Sequence, residues 1–199
     1  MKEQRPLQIL EAAFAVFKEH GYAAARVEDV AERVGVSKGT IYVYFPSKAE
    51  LFKEVVRSIL APLMEHKFEL TQTHSGSAEE LLRMHLDFGY ASILMDDTPR
   101  EFMRLMIAEG ARVPELVDFY VEEVMKWGVE NLRGVLRHGI ETGEFAPDVL
   151  ERFPEPDVLI GPAVYMCVTQ MLVGDRHGID VEAWKRSHLD LILNGLKAR

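Results

Sequence analysis

The rest of this chain is organised around one short stretch, in which a turn separates two segments of helical spacing. Residues 26–48 read RVEDVAERVGVSKGTIYVYFPSK. Val27, Val30, Ala31 and Val34 recur at three- and four-residue intervals and so share one face of a short helix. Gly35 follows, the cheapest residue with which to reach left-handed angles and turn the chain. Ser37 stands where a helix cap belongs, its hydroxyl able to accept a backbone N–H of the next turn. A second helix is predicted over 38–45, ended by Pro46, because the residue before proline avoids helical angles. Two short helices joined by a tight turn make a helix-turn-helix.

On the second helix Ile41 and Phe45 lie four apart and can face a small core. Lys38, Gly39, Thr40, Tyr42, Val43 and Tyr44 are left outside. Lysine brings charge for a phosphate, and the three hydroxyls bring hydrogen bonds for phosphate or base edges. Gly39 permits close approach to a backbone. Ser47 and Lys48 open the next helix, whose free N–H groups suit an anion. The same shape occurs as plain packing in helical enzymes and scaffolds, so shape alone does not assign DNA as a partner.

The segment VEDVAERVGVSKGTIYVYFPSKAELF resembles the DNA-binding signature of the TetR (tetracycline repressor-like) family. The likeness extends back through ILEAAFAVFKEHGY and covers about the first third of the chain. The other two thirds resemble the family only in helical character and length. The resemblance implies a double-stranded, palindromic DNA operator as partner. It implies Arg26, Ser37, Lys38, Gly39, Thr40, Tyr42, Tyr44 and Lys48 as the DNA-binding residues. At position 26 the family usually has a capping Ser or Thr; here Arg26 loses the hydroxyl and gains a cation that can reach a phosphate.

The net charge of −9 looks wrong for a DNA binder until it is divided. The first 57 residues hold nine Lys/Arg against eight Asp/Glu, and the remainder holds fourteen against twenty-four. The acidity therefore lies outside the helix-turn-helix, where it keeps helix faces solvated and discourages non-specific DNA contact. A chain of 199 residues with 48% hydrophobic and 28% charged residues is globular material able to bury a core. The single cysteine, Cys167, rules out an intramolecular disulfide framework and fits a cytoplasmic location. The polar start MKEQRPLQ is no signal peptide. The longest apolar run, 158–173, is interrupted by Gly161-Pro162 and falls short of a membrane span, so no membrane partner is expected.

Helical spacing continues along the chain. Ile9, Leu10, Ala13, Phe14 and Phe17 predict a first helix that ends at Gly21 and braces the recognition pair. After Lys48 a long helix carries Leu51, Phe52, Val55, Val56, Ile59, Leu60, Leu63 and Met64, with Pro62 inside it as an expected kink. Further helices are predicted over 78–95, 101–108, 114–141, 158–173 and 181–196, with a polar loop over 145–156. No stretch alternates at period two, so no sheet is expected. The fold class is all-α. An N-terminal three-helix helix-turn-helix DNA-binding domain over residues 1–60 precedes a larger helical ligand-binding and dimerisation domain over 61–199.

The 158–173 helix is apolar on every side and needs cover from outside its own domain, most simply a second copy. The resemblance implies a homodimer through the last two helices, and a small-molecule effector held in the second domain. Its sulfur and aromatic lining is drawn from Met64, Phe68, Phe88, Phe102, Met103 and Met106. Phe119, Tyr120, Trp127 and Tyr165 complete the apolar set, with His85 and Asn131 as polar groups that orient the ligand. No zinc-spaced His/Glu motif and no glycine-rich phosphate loop is present; no metal, cofactor or catalytic residue is expected. The expected activity is transcriptional repression released by a small apolar or amphipathic molecule; the alternatives are a constitutive or ligand-activated DNA binder, or a helical enzyme or scaffold that contains the helix-turn-helix shape.

Overall fold

The computed structural model describes residues 5–94 and 96–197, and Met95 lies outside that range. Among the described residues there is no strand, and the all-α expectation holds; the one bridge joins Phe145 to Lys197. The helices are α1 (Arg5–Ala24), α2 (Val27–Val34), α3 (Lys38–Tyr44), α4 (Lys48–Thr73), α5 (Ala78–Leu94) and α6 (Asp97–Glu109). They continue as α7 (Pro114–Tyr120), α8 (Lys126–Glu141), the short α9 (Val149–Arg152), α10 (Gly161–Val173) and α11 (Val181–Leu196). A π turn at Val121–Met125 joins α7 to α8 where one long helix is expected from sequence. The expected loop at 145–156 contains α9, and a 3₁₀ turn, Pro156–Ile160, leads into α10.

The chain forms two compact units. The first is the chain up to Pro62 together with Glu101–Glu123; the second is Leu63–Arg100 with the chain from Val124 onward. Sequence reading assigns 101–123 to the second domain. The packing groups them with α1 to α4, because Phe102, Leu105, Leu116 and Phe119 are buried in one cluster with Ile9, Phe17, Ile41, Leu51 and Phe52. Rings of Phe17, Tyr22 and Phe52 meet edge-on or tilted at 5.1–5.7 Å. α4 runs through Pro62 without ending, and the chain passes from one unit to the other at that residue.

The second unit packs α5, α8 and α11 around Leu81, Leu82, Val135, Leu136, Phe145 and Leu196. Phe145 comes from the expected loop, yet it is 2% exposed. Its ring lies against Gly139, where a Cβ would overlap the ring. Gly139→Ala should therefore destabilise the chain by about 1–3 kcal/mol, although alanine is the better helix former. Urea unfolding checks this; a stabilised Gly139→Ala protein would show that Phe145 has room to move.

Candidate nucleic-acid interface

Val27, Val30 and Ala31 of α2 are buried, and Gly35 ends the helix at φ 73°. Only a residue tolerant of left-handed angles turns the chain there without strain. Arg26 precedes α2 with an extended backbone and an exposed side chain, and its N–H donates to the Asp29 carboxylate at 3.3 Å. The acid three residues on thus takes over part of what a capping hydroxyl would do. Ser37 caps α3 by accepting from the Thr40 N–H at 3.1 Å, and the two hydroxyls lie 2.9 Å apart. Arg33 grips Glu19 of α1 through two hydrogen bonds of 2.9 and 2.8 Å, which fixes α2 on its brace.

Ile41 and Phe45 point inward, 0% and 6% exposed, and this sets what α3 presents to solvent. Ser37, Lys38, Gly39, Tyr42 and Tyr44 are exposed, and Thr40 is half-buried. Lys38 pairs with Glu28 at 2.5 Å and lies 5.6 Å from the Tyr42 ring centre. Both members of that pair are exposed, so a phosphate can replace the carboxylate at little cost. Val43 is 80% exposed between the two tyrosines. Sequence reading places it outside and gives it no role. An apolar side chain on this face suits the thymine methyl group of a major groove.

Lys48 has partners within its own unit. Sequence reading gives its charge to a DNA phosphate. Its Nζ instead donates to the Tyr22, Ala23 and Ala25 carbonyls at 2.8, 3.2 and 3.2 Å. It also lies 4.6 Å from the Tyr22 ring centre. Lys48 therefore satisfies carbonyls at and just beyond the end of α1 and holds the corner from which α2 starts. The Tyr22 hydroxyl faces Glu115 of α7 at 3.5 Å, and burial together with that carboxylate pushes its pKa up to about 12. Lys48→Met should cost about 1.5–3 kcal/mol of stability, because three carbonyls lose a charged donor. The salt dependence of DNA binding should stay unchanged; a slope flatter by about one unit would return Lys48 to the phosphate contacts.

The effector residues expected from sequence separate. Phe102, Met103, Met106, Phe119 and Tyr120 belong to the first unit, and Phe102 and Phe119 are buried in its core. Met64, Phe68, His85, Phe88, Trp127, Asn131 and Tyr165 belong to the second. There Phe68 is 52% exposed, and Tyr165 is 56% exposed and stacked on Trp184 at 5.5 Å. Both face outward in the single chain. His85 is buried, and its Nε2 lies 2.9 Å from Thr71 Oγ1. Thr71 already donates its proton to the Lys67 carbonyl at 3.1 Å, so His85 Nε2 carries the hydrogen. Asn131 Nδ2 reaches the same oxygen at 3.4 Å. Burial, and then the nearby charges of Lys67, His66 and His74, lower the His85 pKa to about 4. The Phe88 ring lies tilted against His66 with ring centres 4.5 Å apart, while Met64 and Trp127 are half-buried.

A second buried chain of hydrogen bonds, absent from the sequence reading, sets α11. Trp184 Nε1 donates to the Tyr90 hydroxyl at 3.0 Å, and that hydroxyl donates to His188 Nδ1 at 2.9 Å. His188 Nε2 donates to the Leu159 carbonyl at 2.8 Å. Every proton in this relay has one place to go, and burial keeps His188 neutral by lowering its pKa.

The profile of bacterial regulatory proteins of the tetR family matches residues 9–55, which span α1 to α4 as far as Val55. The profile of the AefR-like transcriptional repressor C-terminal domain matches residues 84–152. The chain is 31% identical over 152 residues to the HTH-type transcriptional regulator YfiR of Bacillus subtilis, with 73% of this chain and 70% of YfiR covered. The chain belongs to the TetR family. It is 26% identical over 198 residues to the fatty acid metabolism regulator protein of the same organism, with 98% of both chains covered. Its fold matches FadR of B. subtilis solved with stearoyl-CoA, with a TM-score of 0.74 at 22% identity over 95% of this chain and 98% of that one. These relatives are regulators, and the chain is a DNA-binding transcriptional regulator rather than an enzyme.

Proposed function

We propose that the protein is a cytoplasmic homodimeric repressor, released from a palindromic operator by an effector with a long apolar body. Each subunit lays α3 in the major groove, with Ser37, Lys38, Gly39, Thr40, Tyr42, Val43 and Tyr44 on the DNA and Arg26 reaching a phosphate. The observation that carries this reading is the solvent face of α3, where an exchangeable lysine, two tyrosines and an 80% exposed valine stand together. The effector class is supported by the relative named for fatty acid metabolism, which this chain matches end to end, and by the FadR structure with stearoyl-CoA.

The effector binds the second unit better in a conformation whose recognition helices are misplaced. Half-sites lie about one DNA turn, roughly 34–36 Å, apart, so a shift of a few ångströms prevents simultaneous docking. The chain crosses between the two units within α4, at the start of α6 and in the π turn, so three stretches can carry such a shift. The test is selection of operator fragments from genomic DNA, followed by titration with and without long-chain fatty acids and their CoA thioesters. Effector should weaken operator binding by about 5–150-fold, and operator should weaken effector binding by the same factor. Tight operator binding that no such compound alters would favour a constitutive regulator, and tightening by effector would favour a ligand-activated one.

A further inference from the structure

Lys67 projects from α4 in the second unit, and its Nζ lies 3.9 Å from where a Cβ on Gly89 of α5 would sit. The residue is half-buried, and burial alone lowers its pKa; no carboxylate is close enough to oppose this. Among the described residues its ammonium has no hydrogen-bond acceptor and no ion-pair partner. The neighbouring polar groups give it none: Thr71 donates to the Lys67 backbone carbonyl, and Asn131 and His85 both turn toward Thr71. The charges acting on His85 at this place come from Lys67, His66 and His74, all basic. A half-buried ammonium that shares its surroundings with neutral and basic groups, and has no carboxylate beside it, is placed to gain from an anion. One helical turn from these groups stand Met64 on α4, Phe88 on α5 and Trp127 on α8, each half-buried.

We infer that Lys67 is the anchor for an anionic head group, a carboxylate or a phosphate, whose apolar chain lies along Met64, Phe88 and Trp127. This rests on the effector reading above and adds to it the charge of the ligand and the residue that meets it. The negative head supplies the missing counter-charge, and the ammonium donates charge-assisted hydrogen bonds to it. Thr71 and Asn131 hold His85 in place beside the anchor. Sequence reading misses Lys67 because a lysine in an amphipathic helix reads as a solvated residue.

Three probes of equal chain length separate charge from apolar contact: dodecanoate, dodecanoyl-CoA and dodecanol, each below its micelle concentration. Wild-type protein should bind at least one of the two anions about tenfold or more tightly than dodecanol. A gain confined to dodecanoate identifies a carboxylate head, and a gain confined to the thioester identifies the phosphates. Lys67→Met should remove the gain and leave dodecanol affinity within about twofold. An unchanged preference for the anion in Lys67→Met overturns the anchor, as does equal binding of all three probes by wild type. A second measurement needs no ligand. Gly89→Asp places a carboxylate beside Nζ and should raise Tm by about 2–4 °C over Gly89→Asn, which has the same size and no charge. If none of the probes binds, the acyl-effector reading falls and this comparison alone decides the anchor. Equal Tm values would then show that the ammonium gains nothing from a counter-charge, and the anchor falls.

Discussion

Leu172→Arg should turn the protein into a monomer at micromolar concentration and reduce operator affinity by two orders of magnitude or more. Leu172 is 77% exposed on α10, an extreme value for a leucine in a regular helix. It is not alone. Val158, Val164, Tyr165 and Val173 are 40–62% exposed along the same stretch, and Leu191 of α11 is 69% exposed. The 3₁₀ turn of Pro156–Ile160 gives way to α10 at Gly161, and Pro162 sits in the first turn of α10, where its missing N–H costs nothing. By length and composition Pro156–Arg176 could even cross a membrane, with 22% of its apolar window buried. A second copy of this chain would cover the same face, as the proposed homodimer requires. An obligate interface of this kind buries on the order of 2,000 Å² or more, and a guanidinium stranded inside it finds no partner. A monomer docks one half-site and loses the gain from engaging both. Sedimentation of Leu172→Arg and Leu191→Arg checks the assembly, and operator titration checks the consequence. Variants that stay dimeric with native operator affinity would move the interface elsewhere.

The helix-turn-helix was legible because its signals are local. Gly35, Ser37 and Pro46 each act within a few residues, and α3 ends within one residue of its expected limit. The outward set on α3 follows from Ile41 and Phe45 being four apart, which needs no knowledge of the rest of the chain. What stayed hidden was long-range. Helical period shows which face of α6 is apolar, not which neighbour covers it. Phe102 and Phe119 therefore read as ligand lining although they complete the core that contains Ile9 and Phe17. Lys48 shows the same limit. A lysine at the start of a helix is a natural phosphate contact, and only the tertiary fold brings the carbonyls of Tyr22, Ala23 and Ala25, more than 20 residues earlier, within its reach. Phe68 and Tyr165 show the limit of composition: aromatic residues in a helix predict burial somewhere, and here both sides remain open in the single chain.

Acidification should unfold the second unit earlier than its carboxylates allow. His85 is 5% exposed, donates from Nε2 to Thr71 and is held neutral, with its pKa lowered from 6.5 to about 4. The first cause is burial; the charges of Lys67, His66 and His74 add to it. The unfolded chain therefore takes up this proton first as the pH falls, while the native state refuses it. Stability contributed by neutral His85 is complete above pH 6.5 and is lost as the pH falls from 6.5 toward 4. The full loss is roughly 3 kcal/mol per chain, since a pKa lowered by one corresponds to about 1.36 kcal/mol. His188 is lowered in the same direction and steepens the same window. The carboxylates with lowered pKa values, such as Glu144 on the Ala78 and Glu79 N–H groups, lose their contribution only below their ordinary value of 4.5. The slope between pH 6.5 and 5 thus reports the histidines and little else. Urea unfolding across this range should show it in the wild type. His85→Gln keeps a donor for Thr71 without a titrating ring and should flatten the slope by about the His85 share. A wild-type stability that stays level from pH 6.5 to 5 would mean that His85 meets solvent and titrates normally.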